Sequence, residues 1–424
     1  MPVKVYDDNQ SIHDIGSVIM GYQPFQNAFV NALVNRIAMV IVTSREWDDP
    51  WAIFDRGTLQ VGETVEEIFV NIAKPHSYDP AVAEKEWMNR EIPDVRAAFH
   101  TLNYQKFYKA TVEEQELGLA FVSWSGVSDL IARIVSSLYT GMNYDNYIVR
   151  KYMLCREILN GGMEMVSFNN SDSSDLVQQA RSMSSKFAFL KKSFNRAGVY
   201  NAVDRDRQYI IIDADREAEL DVDVLAKAFN MERTEFLGHL KIVDSFTEHD
   251  LDRLALLFAN DDSYTPFTAQ EITNLGLVGA VLMDRDWWMI FTYLRTMRED
   301  NNGQGLYWQY WLHNWKIISV SPFHNAAAFV SSAGTVGSVS ISPATATLSP
   351  GATMVFTATV TGTGIFEKNV VFSVTGGTSA ETRIDPSNGT LHVGTDETAE
   401  TLTVKVTSQA NATKTATATV TVSA

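Results

Sequence analysis

Cysteine is nearly absent: Cys155 is the only one in 424 residues, so no intrachain disulfide can form. It lies in an apolar stretch, which suits a small buried hydrophobe better than a reactive thiol. A single cysteine fits a reducing compartment, or indifference to redox. Long hydrophobic runs are absent too; nothing approaches ~18 apolar residues, which excludes a transmembrane helix. Met-Pro-Val-Lys-Val-Tyr-Asp-Asp (1–8) has neither a basic start nor an apolar core, so no signal peptide is expected. The reading is a chain kept in a cytoplasm until lysis, with no membrane partner. Positive charge is short: 34 Lys and Arg against 51 Asp and Glu give a net charge of -17. Tight sequence-independent DNA binding over the whole surface needs clustered cations and is excluded, although a locally basic face is not.

Catalytic and cofactor motifs are also missing. The eight histidines are scattered, without His-Glu-x-x-His or paired His/Cys spacing, so zinc has no support. Neither a phosphate-binding Gly-x-x-x-x-Gly-Lys-Ser/Thr loop, nor Gly-x-Gly-x-x-Gly, nor Gly-x-Ser-x-Gly occurs. Asn388-Gly-Thr390 and Asn411-Ala-Thr413 match the glycosylation pattern but read as turns. The expectation is no enzyme, no cofactor and no metal.

What is present organises around Arg207–Phe246. Tyr209–Ile212 is a β-branched apolar run bounded by charge, a buried strand. Val222, Leu225, Ala226 and Phe229 recur at helical spacing, and Lys241–Asp244 reads as a second strand. Asp213, Asp215, Asp221 and Asp223 tempt a metal reading. Asp221 and Asp223 are two apart at a helix start and do not share a face, so they complement the helix dipole instead.

Before that unit, Phe25, Phe29, Leu33, Ile37 and Val40 have helical spacing. Residues 47–110 scatter aromatics among charges, with a turn between two extended pieces over Leu59–Ile72. This is either an ordinary helical and hairpin subdomain or an extended loop whose aromatics bury on another subunit. Ser125 caps a helix with Val127, Leu130, Ile131, Ile134 and Leu138 inward; Gly141-Met-Asn143 marks an interruption, and Tyr147–Leu159 continues to a stop at Gly161-Gly162. A strand at Glu164–Phe168, a loop at Asn169–Asp175 and a polar helix with Leu176, Ala180 and Met183 on one side follow. Lys186, Lys191, Lys192, Arg196, Arg205 and Arg207 form a basic excess, by default a solvated face and otherwise a contact to DNA or to a neighbour's carboxylates. Later strands are expected at Leu277–Met283, Trp287–Phe291, Gly305–Trp311 and Trp315–Val320, the last two as a hairpin.

All nine tryptophans lie before residue 316, and composition then shifts to Thr, Ser, Val, Ala and Gly. Ser331–Gly337 reads as a flexible linker. Val339–Pro343, Ala344–Leu348, Met354–Val360, Val370–Val374, Leu402–Val406 and Thr415–Val422 alternate apolar with Thr or Ser, a small β-sandwich. The whole chain is therefore expected to be α+β (mixed).

Leu220–Met231 with Arg233–Gly238 resembles the major capsid proteins of phi-29-like short-tailed phages, and Gly62–Phe69, Phe121–Trp124, Gly305–Trp308 and Ala326–Val330 resemble further segments of that family in the same order. Ile384–Leu391 resembles the bacterial immunoglobulin-like group 2 module. The resemblance implies a Hong Kong-97-type capsid domain over 1–332. Within it would lie an N-arm (about 1–46), an extension loop (about 47–110), a spine helix (about 124–160) and an axial domain (about 165–300), with the β-sandwich over 333–424. It implies hexamers and pentamers of this chain forming an icosahedral or prolate virion shell. Scaffolding protein, portal or connector, and packaged double-stranded DNA on the inner face are the implied partners. Trp51, Phe54, Arg56, Phe69, Trp87, Arg90 and Phe107 are the implied intersubunit contacts. The rival readings are a bacterial surface or adhesin-type protein displaying the β-sandwich, which a signal peptide would favour, and an enzyme using it as an accessory.

Overall fold

A computed structural model describes residues 46–60, 62–76, 92–113, 124–219, 239–259, 261 and 264–423. The N-arm, the helix expected after Leu220, Trp87 and Arg90 lie outside the described residues. The chain divides into two compact units.

The smaller unit uses Gln105–Asn146 and Leu294–Trp315, with the described residues before Pro50. Strand β4 (Tyr104–Glu113) and helix α1 (Trp124–Leu159) enter it. Parts of β9 (Trp288–Asn302) and β10 (Tyr307–Val320) complete it, hydrogen-bonded in the order β9-β10-β4. Val112, Leu138, Met142, Tyr310 and Leu312 form its core. The helix runs without a break through Gly141–Asn143, because Met142 is a core side chain and Asn143 donates to the Trp47 carbonyl at 3.1 Å. The expected hairpin within 305–320 is instead one strand, β10, paired with β9. Its polar interruption is an inward position: buried Asn314 donates to Asn146 Oδ1 at 2.9 Å.

In the larger unit a five-stranded sheet has the order β5-β11-β8-β6-β7. The strands are β5 (Glu164–Ser167), β6 (Gln208–Asp213), β7 (Leu240–Val243), β8 (Val278–Asp284) and β11 (Ala326–Val330). β6 and β7 run parallel, as do β5 and β11, while β8 is antiparallel to both β6 and β11. All seven positions of β8 are buried, matching its unbroken apolar sequence. Helix α2 (Ser173–Phe187) starts at Asp172, whose side chain accepts from Ser174 N, and lays Leu176, Val177, Ala180 and Met183 on this sheet. A second core joins Trp51, Phe54, Tyr147, Tyr209 and Trp288.

Gly161 ends α1. It has φ +66°, and Gly161 N and Gly162 N reach Ile158 O (3.0 Å) and Glu157 O (2.9 Å), the two bonds of a Schellman cap. A Cβ at Gly161 would lie 2.4 Å from Phe366 O, so glycine also admits a close neighbour.

Beyond β11 the chain is all strand. β12 (Thr335–Ser342) pairs with β15 (Thr357–Thr363), and a sheet of order β13-β20-β19-β16 joins Thr345–Leu348, Thr415–Val422, Thr401–Ser408 and Val370–Thr375. Phe356, Phe372, Leu391, Val404, Val406 and Val420 are its core. The stretch expected as a free linker is tied down: Ser331 N donates to Leu277 O at 2.8 Å, and Ala333 bridges to Ile365.

Candidate self-association surface

Strands β2 (Val65–Val70) and β3 (Val95–His100) form an antiparallel ribbon with Val65 opposite His100 and Val70 opposite Val95. Side chains alternate across a strand, so the ribbon has two faces.

The inner face is fastened to its own chain. Glu67 accepts from Ser321 Oγ at 2.8 Å and meets His100 Nε2 at 3.3 Å and His324 Nε2 at 3.4 Å. Burial works against its ionisation, but hydrogen bonds from His100, His324 and Ser321 hold Glu67 down to about 2. Burial likewise opposes a charged His324, yet Asp284, 2.5 Å from Nδ1, and then Glu67 raise it above an ordinary histidine. The Phe69 ring stacks on Phe323 with centroids 5.6 Å apart. Arg96 donates to both Asp94 oxygens at 3.0 Å and to the Ala197 carbonyl.

The outer face is largely apolar and exposed: Ile68, Val70, Val95 and Phe99 lie on it, Val70 at 63% and Phe99 at 69% exposed, with Glu66 opposite Phe99 and Ile72 and Ile92 beside them. A contiguous apolar patch of this kind marks an interaction surface far more often than scattered exposed residues do.

The residues expected as intersubunit contacts fall into separate groups. Trp51 and Phe54 are 0% and 1% exposed. Trp51 donates to Ile242 O at 3.3 Å, and both rings pack on Trp288, so neither offers side-chain surface to a second copy. Both side chains are core in this chain; aromatic composition alone does not separate core from interface. Arg56, on β1 (Asp55–Thr58), pairs with Asp286 at 3.3 Å. Phe69 faces inward on the ribbon. Phe107, in the smaller unit, is 61% exposed beside His313. Ile68, Val70 and Val95 were not singled out from the sequence. The alternation that could reveal them carries apolar residues on both faces, so it does not tell inner from outer.

Asp284, Asp286 and His324 bring three ligand-type atoms within 4.8 Å. Arg56 and Arg207 pair with Asp286, and His324 with Asp284, so these carboxylates are already neutralised by side chains. The arrangement fastens the ribbon's base. Burial pushes the lone thiol, Cys155, up to about 12, despite Lys151. No helix among the described residues is long and apolar enough to cross a membrane.

The family described as Phi29-like phage major capsid protein matches residues 4–330. The major capsid protein of Bacillus phage B103 is 36% identical over 407 residues, 94% of this chain and 84% of that one. That of Bacillus phage PZA is 35% identical over 405 residues, with the same coverage of each. Among solved structures, the capsid structure of Staphylococcus phage Andhra superposes with a TM-score of 0.56 at 13% identity, over 70% of this chain and 87% of that one. At that identity the likeness concerns fold alone.

Proposed function

The chain belongs to the Phi29-like phage major capsid protein family, and on that premise we propose that the outer face of the β2–β3 ribbon is where one copy seats on the next. The protein is a structural component of the virion that assembles with itself into the capsid shell, and its role is not enzymatic. The adhesin-type reading is not favoured.

The observation that carries the proposal is the contrast between the ribbon's two faces. An exposed apolar face costs solubility unless something covers it, and a shell protein meets copies of itself at high local concentration. Closed symmetry then repeats one patch-to-patch contact many times, so a modest contact suffices. Arg56 and Phe107 remain proposed contacts, each within its own unit. Trp87 and Arg90 belong to the same proposal by sequence alone.

The finer architecture is part of this reading. The 36-residue helix α1 fits a spine helix, residues 47–110 an extension loop and the five-stranded sheet an axial domain of the Hong Kong-97 type. The strands over 333–424, in three sheets around one core, fit an immunoglobulin-like module on the outer surface. Scaffolding protein, portal or connector, and DNA along the inner face complete the partner set, with the basic excess at Lys186–Arg207 a candidate for the last.

Phe99→Asp tests the proposal. Its side chain projects outward, so the variant stays folded by circular dichroism and thermal melting. Sedimentation and electron microscopy are expected to show free subunits where the parent protein, with its scaffolding protein, gives closed shells. Normal shells from Phe99→Asp would remove the ribbon face from the assembly contact.

A further inference from the structure

The seam between the all-β C-terminal region and the five-stranded sheet lies within the larger unit and is fastened on two sides. On one, Lys368 N donates to Gly161 O at 3.0 Å and Lys368 Nζ to Leu159 O at 3.1 Å, closing the C-terminal end of α1. Gly161 makes this approach possible, because a Cβ there would collide with Phe366 O and Lys368 N. On the other, Gln409 Nε2 reaches the Asn195 and Arg196 carbonyls at 3.5 Å. Between them is a cavity of about 260 Å³ lined by Glu164, Met165, Ala333, Gly334, Thr335, Val336, Phe366, Glu367, Ala410 and Asn411.

Two acids face that cavity from opposite sides: Glu164 from β5, and Glu367, 4% exposed, from the C-terminal region. Among the described residues neither carboxyl has a cation within ion-pair distance. Lys186 and Lys191 act on Glu164 only at longer range, and Asn369, at 3.2 Å, is the hydrogen-bond donor to Glu367. The nearby Glu157–Arg196 pair (3.7 Å) and exposed Lys368 complete the charged groups around the seam; Lys368 is spent on Leu159 O. Two carboxylates enclosed without counter-charge would be costly, so the closed seam holds them as neutral acids.

We propose that this seam is a proton-dependent latch, in which neutral Glu164 and Glu367 keep the C-terminal region docked and their ionisation loosens it. Burial lifts Glu164 to about 7; burial, then the charge of Glu164, lifts Glu367 well above the ordinary carboxyl range. Groups raised in the docked state favour docking fully below the ordinary value of 4.5. That contribution fades as pH rises through about 7 for Glu164, and higher still for Glu367.

Hydrogen exchange on the full-length chain between pH 5 and 8, corrected for intrinsic exchange, tests this. Protection of the Lys368 amide, whose backbone bond to Gly161 O crosses the seam, is expected to fall by about tenfold or more across the range, since one proton gives up to tenfold per pH unit. The Val404 and Ala418 amides, in the β19–β20 pair, should stay level and so report that the fold is intact. Glu164→Gln/Glu367→Gln keeps shape and removes the charge, so its seam protection should be pH-independent and equal to the parent's at pH 5. Level seam protection in the parent, or an unchanged pH profile in the double variant, overturns the latch. Restoration of protection at pH 8 by calcium in the parent alone would also overturn it, in favour of a cation site.

Discussion

Glu67 beneath the ribbon and Glu367 on the C-terminal seam are both enclosed carboxyls of one compact unit, yet their environments drive them in opposite directions. Burial acts upward on both. At Glu67 two imidazoles and the Ser321 hydroxyl converge on the carboxylate, and it ionises at about 2. At Glu367 the one donor is an amide and the facing group is another acid, so the neutral form wins. Burial alone does not set the role of an acid; the donors aimed at it do. One site is a clamp that needs its charge, the other a latch that needs its proton.

The largest effect should come from breaking the clamp. Glu67→Ala leaves His100 and His324 without their shared anion, and removing one partner of a buried ionic network costs about 3 kcal/mol. The urea midpoint at pH 7 should fall accordingly. Glu367→Gln under the same conditions should be neutral or stabilising, since it replaces a proton-requiring acid with a permanent neutral. Equal losses from the two variants would erase the distinction drawn between the sites.

The pH profiles sharpen the same contrast, with a smaller effect. Glu67 is depressed, so its stabilisation is complete above the ordinary carboxyl value of 4.5 and lost as pH falls toward about 2. His324 is raised, so its share is complete below 6.5 and lost as pH rises through its higher value. The clamp is therefore fully set from pH 4.5 to 6.5, while the seam is already weakening over that interval. Exchange protection of the Ile68 and Phe69 amides should be level from pH 5 to 6.5 as that of Lys368 declines. A parallel decline at both places would indicate one cooperative unfolding event instead of two separate fastenings.

Much of the fold was legible in the sequence, because its strongest elements carry one signal each. Tyr209–Ile212 and Leu277–Met283 are unbroken apolar runs and became β6 and β8; Gly161-Gly162 ends α1 as a left-handed cap. The failures share a cause. Asn314 looks like a break in β10, but it points inward, where its Nδ2 donates to Asn146 Oδ1. Met142 likewise turns an apparent interruption into core. Polar residues with distant partners cannot be told from loop residues until those partners are placed. The proposed association surface was legible only in region: 47–110 was singled out by its aromatics, of which Trp51 and Phe54 are core in this chain. The exposed face depends on which side of the ribbon meets Phe323 and His324, more than 200 residues further along the chain.

Cys155 extends the comparison to a third enclosed titratable group, with the smallest effect. Among the described residues no donor converges on it: its Sγ lies 3.9 Å from Phe246 O, a weak contact, and Lys151 acts only through space. By the logic that separates Glu67 from Glu367, it should remain a protonated thiol. With its value near 12, roughly one molecule in ten thousand is thiolate at pH 8. Labelling by a disulfide reagent should therefore proceed only through opening of the larger unit, at a rate that climbs with urea in step with unfolding. Cys155→Ala should cost about 1 kcal/mol, the loss of one small buried group, and should leave the pH profiles of clamp and seam unchanged. Rapid labelling of the native chain at pH 8 would mean that burial there is not the dominant influence, and the ranking of donors over burial would have to be rebuilt from this site.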